Sequence, residues 1–138
     1  MPVRKIILAH SSESAASIFR HIRGTNGHFW MYMGKDYSGM LAWRAQLDGT
    51  ATKVETGKEL QLKANELRRQ FIDFVAETSS PNSRFARWSS GVFEKNTAIS
   101  SLYLYVCYIE LLKDYIEKDS GAKSVIVISE SWALINAI

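Results

Sequence analysis

The side chains best suited to chemistry fall in three short stretches. His10-Ser11-Ser12 follows an apolar run, Ser129-Glu130-Ser131 follows another, and Trp88 through Tyr103 interleaves an aromatic ring, a carboxylate, a cation and an amide. An imidazole at His10 can act as a general base or contact a phosphate. Glu130 can serve as a carboxylate base or hold ribose or sugar hydroxyls. Ser11 and Ser129 add hydroxyls that both donate and accept. In the third stretch Trp88 offers a face on which a sugar or base stacks, while Glu94, Lys95 and Asn96 supply groups for hydroxyl and phosphate oxygens. That stretch runs into a helix, whose amino terminus favours anions. Each stretch also has a purely structural reading. Ser129 or Ser131 can cap a final helix, Asn96 or Thr97 can cap the longer one, and Trp88 can plug the end of a core. Every helix needs such caps, so residue types alone leave both readings open.

Other chemistries lack their signatures. The residues after the first apolar run are His-Ser-Ser-Glu-Ser, without the spaced glycines of a dinucleotide fingerprint or the Gly-Lys-Ser/Thr of a P-loop. No bound cofactor is expected. His10, His21 and His28 are not spaced for a metal site, and the single cysteine, Cys107, sits in an apolar helix where a buried structural thiol is expected. No nucleophile elbow is present.

The elements that must position these groups follow from hydrophobic periodicity. Val3 to His10 reads as a buried strand running into a polar loop, and Ala15 to Arg23 as a short helix ended by Gly24. His28 to Met33 is an aromatic-rich strand. Residues 35–57, punctuated by Gly39, Gly49 and Gly57, fit hairpin strands, loops or a broken helix alike. Residues 58–77 form an amphipathic helix, with Leu60, Ala64, Leu67, Phe71, Phe74 and Val75 on one side, and Pro81 lies beyond its stop. Ser100 to Lys118 is a second strong helix. Ser124 to Ser129 holds a run of four β-branched residues without alternation, as expected for a strand buried on both faces. A final helix begins at Trp132. The expected fold is a single α/β domain over residues 1–138, Rossmann-like, with a mainly parallel sheet flanked by helices and residues 3–9 and 124–129 as its central strands. In such a sheet ligands bind outside the carboxyl ends of the strands, where His10 and Glu130 fall.

The 138 residues are 46% hydrophobic and 22% charged, with eight Gly and two Pro, a composition that excludes collagenous and disordered classes. The net charge of +3 is uneven: residues 1–69 hold eleven basic and six acidic side chains, residues 70–138 six and eight. No window clusters enough Lys and Arg for a nucleic-acid footprint. The apolar stretch near the amino terminus, Ile6 to Ala9, is too short for a secretory signal. The longest apolar run, Leu102 to Ile109, is too short to span a bilayer, which takes about 20 residues. The expectation is a cytoplasmic protein without a transmembrane segment, leaving a peripheral membrane contact open.

One stretch carries a resemblance. Trp88-Ser89, then Glu94-Lys95-Asn96, then Ser100, Leu102 and Tyr103 leading into a hydrophobic helix and a Val-Ile-Val-Ile strand resembles the amino-terminal region of bacterial surface-carbohydrate biosynthesis proteins. These are large glycosyltransferase-like polypeptides of polysaccharide loci. The resemblance implies a Rossmann-like amino-terminal part of a two-domain enzyme that moves a sugar from a nucleotide donor to a glycan acceptor, with the nucleotide sugar held mainly by a second domain. It implies stacking by Trp88, oxygen recognition by Lys95 and Asn96, and acid/base or acceptor contacts by His10 or Glu130. The residues alone also fit a stand-alone nucleotide-binding domain of flavodoxin-like layout or a noncatalytic interaction module. On the glycosyltransferase reading, replacing Lys95 and Asn96 together with Ala in the full-length protein abolishes sugar transfer while leaving the circular-dichroism spectrum unchanged. Unchanged transfer removes both residues from the site.

Overall fold

The computed structural model describes residues 5–22, 24, 26–79, 101–118 and 121–138. In chain order its elements are β1 (Lys5–His10), α1 (Ala15–Phe19), β2 (His28–Met33), α2 (Tyr37–Leu47), β3 (Thr52–Lys53), α3 (Gly57–Ser79), α4 (Ser101–Glu117), β4 (Ser124–Ser129) and α5 (Trp132–Ala137). Contacts group them into two units: Gly57–Leu112, and the residues up to Thr56 together with those from Lys113 onward.

The first unit holds a four-stranded sheet in the order β1-β4-β2-β3, with every neighbouring pair parallel. This is the Rossmann-like α/β architecture read from the sequence. Parallel neighbours cannot be joined by a tight turn, and α1 and α2 supply the crossovers after β1 and β2. The last strand in the chain, β4, is bonded on both sides and buried at all six positions, which accounts for its unbroken β-branched run.

β1 is an edge strand, which corrects the expectation that residues 3–9 lie at the centre. Among the described residues it pairs only with β4, and it turns Ile7 and Ala9 inward while Ile6 and Leu8 stay 40% and 37% exposed. A continuous apolar run conceals this alternation, because Ile6 and Leu8 are as hydrophobic as their inward neighbours. The central pair is β4 and β2.

Register aligns the core in rows across three strands: Ile7, Ile126 and Trp30, then Ala9, Ile128 and Tyr32. Ala15 and Ile18 of α1 and Trp43 and Leu47 of α2 pack onto those rows as one cluster. The period-2 alternation of strands sends Phe29, Met31, Val125 and Val127 to the opposite face, where the rings of Phe29 and Tyr115 lie 6.5 Å apart. α1 stops at Phe19, earlier than Arg23, when the Ile18 carbonyl accepts the amide of His21 at 2.8 Å and tightens the chain into a turn. The interval 35–57 resolves into α2 and the two-residue β3.

α3, in the second unit, and α4, which lies in it as far as Leu112, match the two amphipathic readings within two residues at each end. Phe71, Tyr103 and Cys107 form the core of that unit with Leu60, Ala64, Leu67 and Val106 around them, and the Tyr103 hydroxyl donates to the carbonyl of Ala64. Cys107 is buried, and burial pushes its thiol up from the ordinary value, as expected of a structural cysteine.

Ile126 sits at the middle of the central row with no exposed surface. Ile126→Ala should therefore cost about 2–5 kcal/mol in urea unfolding. Leu8→Ala, on the open face of the edge strand, should cost about half as much or less.

Candidate functional site

The last row of the register, His10, Ser129 and Met33, forms the carboxyl edge of the sheet, and the loops that leave β1, β2 and β4 meet there. Ser129 stitches the three strand ends together. Its hydroxyl donates to the Met33 carbonyl at 3.0 Å and accepts from the Ser131 amide at 3.1 Å, while its own carbonyl accepts the Ser11 amide at 2.8 Å. With no exposed surface, Ser129 is committed to the architecture of the edge and turned away from any ligand.

Glu130 joins the β4 loop to the β2 loop. Its two carboxylate oxygens accept the amides of Lys35 at 2.6 Å and Asp36 at 3.2 Å. These amides lie just before α2, where a helix amino terminus ordinarily receives an anion; here the protein's own carboxylate takes them. Asp36 is the N-cap of α2, with Oδ1 accepting from the Ser38 amide at 3.0 Å. Two carboxylates therefore line this edge.

His10 is bonded through both ring nitrogens. The Ser12 amide can only donate, so its 3.2 Å contact makes Nδ1 the acceptor. Nε2 then carries the proton and donates to the Glu130 carbonyl at 3.1 Å. The Ser12 hydroxyl also lies 2.6 Å from Nδ1. To act as a base, His10 must first release Ser12. Its ring stacks on Trp132, with centroids 4.4 Å apart and planes within 5°. Trp132 remains 56% exposed, so an aromatic surface oriented by His10 faces solvent beside Ser11, Ser12 and the carboxylates. Ser11 is half-buried, and its carbonyl accepts from the Trp43 indole at 3.1 Å.

Beneath this surface lies Tyr32, 7% exposed, whose buried hydroxyl has no hydrogen-bond partner among the described residues. Two glycines make room for it. A Cβ at Gly34 would stand 2.9 Å from both the Tyr32 ring and the Glu130 carboxyl carbon, and one at Gly39 would stand 2.9 Å from the Tyr32 hydroxyl and 2.7 Å from Asp36 Oδ2. Burial first, then the charges of Glu130 and Asp36, push the Tyr32 phenol above its ordinary value, with a smaller opposing effect from Ser11.

The sequence placed His10, Ser11, Ser129 and Glu130 at strand ends, and the structure brings all four to one edge. It missed Tyr32, Asp36 and Trp132. Trp132 lies two residues beyond Glu130 and was legible only as the start of a helix. Asp36 belongs to an interval whose elements the sequence left open. Trp88, Glu94, Lys95 and Asn96 lie outside the described residues. Among the described residues no group of three His, Cys, Asp or Glu is arranged to hold a metal ion, and no helix is long and apolar enough to cross a membrane.

An unpaired buried hydroxyl carries a desolvation cost of about 1–3 kcal/mol, so Tyr32→Phe should leave the protein equally or more stable at pH 7. A phenol whose folded pKa is raised keeps its proton where the unfolded chain has lost it, so its contribution to stability falls as pH climbs above the ordinary 10.0. Tyr32→Phe should remove part of that alkaline loss, read from urea unfolding on either side of this value.

No family model, no curated protein and no solved structure matches this chain.

Proposed function

We propose that this chain is the acceptor-binding α/β domain of a glycosyltransferase-like protein of surface-polysaccharide synthesis. Such transfer joins an acceptor hydroxyl to the anomeric carbon of a nucleotide sugar, expels the nucleoside diphosphate and releases the hydroxyl proton. On this reading the glycan acceptor rests at the carboxyl edge of the sheet, the nucleotide sugar is held mainly by a second domain, and Trp88, Glu94, Lys95 and Asn96 add substrate contacts from this chain. His10 and Glu130 act on the acceptor side by orienting Trp132 and the two loops.

The observation that carries the proposal is the occupation of the Lys35 and Asp36 amides by Glu130. A nucleotide phosphate at that position would have to displace one carboxylate and sit beside another. A sugar meets no such penalty. It can lay an apolar face on Trp132 and share hydrogen bonds with Asp36, Ser11 and Ser12. The resemblance of residues 88–103 to surface-carbohydrate proteins supports the same reading, as does a parallel sheet with ligand-accessible strand ends.

Titration of the isotope-labelled chain with UDP and with oligosaccharide acceptors, followed by amide chemical shifts, tests this. Saccharide should shift Ser11, Ser12, Lys35 and Trp132, and Trp132→Ala should weaken that binding by about tenfold or more. Saturable UDP binding at Lys35 and Asp36 would overturn the reading in favour of a nucleotide-binding domain.

A further inference from the structure

At the amino end of the sheet, opposite Glu130, the end of α2 and the turn at residues 48–51 border a solvent-open cavity of about 420 Å³ beside β3. That volume falls in the range of small-molecule sites. Trp30, 1% exposed, is among the residues lining it. The turn is fixed by the protein's own backbone: the amide of Asp48 donates to the Arg44 carbonyl at 2.9 Å, and those of Thr50 and Ala51 donate to the Leu47 carbonyl at 3.0 and 3.1 Å. The cavity is thus formed before any ligand arrives, which lowers the ordering cost of binding.

The lining is rich in side chains with hydrogen-bonding capacity to spare. Among the described residues, no hydrogen bond or ion pair engages the side chains of Arg44, Asp48, Thr50 or Thr52. Lys53 is paired with Glu55 at 2.9 Å, and this bond, followed by the charges of Lys53 and Arg44, holds the Glu55 carboxyl below its ordinary value. The cavity therefore presents two cations and two anions. A phosphate or carboxylate attracted by Arg44 would face Asp48 and Glu55. A cation attracted by those carboxylates would face Arg44 and Lys53, and an apolar ligand would strip water from charged groups without replacing their hydrogen bonds. A neutral ligand that carries many donors and acceptors satisfies all of them: Arg44 donates, Asp48 accepts, and the two threonine hydroxyls do either.

We propose that this cavity is a saccharide-binding site for one or two neutral sugar units, separate from the carboxyl edge. It does not rest on the glycosyltransferase reading, because the cavity shares no residue with that edge.

The test is an amide-shift titration of the whole labelled chain with methyl α-D-glucopyranoside, methyl α-D-galactopyranoside, maltose and, separately, inorganic phosphate. At least one of the sugars should produce saturable shifts confined to Arg44 and residues 48–53, with a Kd of about 1 mM. Arg44→Ala and Asp48→Asn, both at exposed positions, should each weaken that binding about tenfold, whereas Trp132→Ala should leave it unchanged. Saturable shifts at these amides with phosphate but not with the sugars would overturn the proposal. So would the absence of saturable shifts there with every sugar, whatever happens at Ser11, Lys35 and Trp132.

Discussion

β4 is hydrogen-bonded along both of its edges, and the rest of the first unit depends on that double pairing. Among the described residues β1 pairs with the sheet only through β4, and β2 meets β1 only across it. Ile126 and Ile128 therefore provide the middle of every row onto which α1 and α2 pack. The same strand sets the polar edge. Because β4 ends level with β1 and β2, Ser129 can hold three strand ends at once, and Glu130, the next residue, is delivered to the loop before α2.

This arrangement separates two kinds of polar group. Those nearest the backbone are fully committed: the Ser129 hydroxyl, both oxygens of Glu130 and both nitrogens of His10 bind the protein itself. Those farther out, the face of Trp132 and the second oxygen of Asp36, stand on this fixed layer. Binding groups placed on committed neighbours lose little freedom when a ligand arrives. The Tyr32 hydroxyl is the exception, since it is enclosed by the edge without being bonded into it. Its ring is nonetheless part of the hydrophobic core, and burial of a tyrosine ring contributes more than its lone unpaired hydroxyl removes.

Much of this was legible in the sequence where a pattern had a single physical meaning. The four β-branched residues 125–128 pointed to a strand buried on both faces, and the three-and-four spacing from Leu60 to Val75 pointed to an amphipathic helix. β1 was recognisable as a strand, but its position was not, because Ile6 and Leu8 leave no polar mark of the open face. α2 was hidden by Gly39. A glycine in a helix reads as a break, yet here the helix needs it, since any side chain would collide with Asp36 and Tyr32. Losing α2 meant losing its cap, Asp36, and with it half of the carboxylate pair. His10 and Glu130 were found because the rule about strand ends requires only the strands. Trp132 was not, because its stacking on His10 is a contact across the sheet that no local pattern records.

The order of strands also matters while the protein is being made. At a synthesis rate of about 5–20 residues per second, β4 follows β2 out of the ribosome by something on the order of 5–20 s. Throughout that interval β1 and β2 have no shared neighbour, and Trp30, Met31 and Tyr32 border an empty slot in the sheet. A nascent chain in that state presents an aromatic-rich strand with one open edge to its surroundings, the kind of surface that chaperones engage. Its yield in cells should therefore respond to protection of that edge during translation.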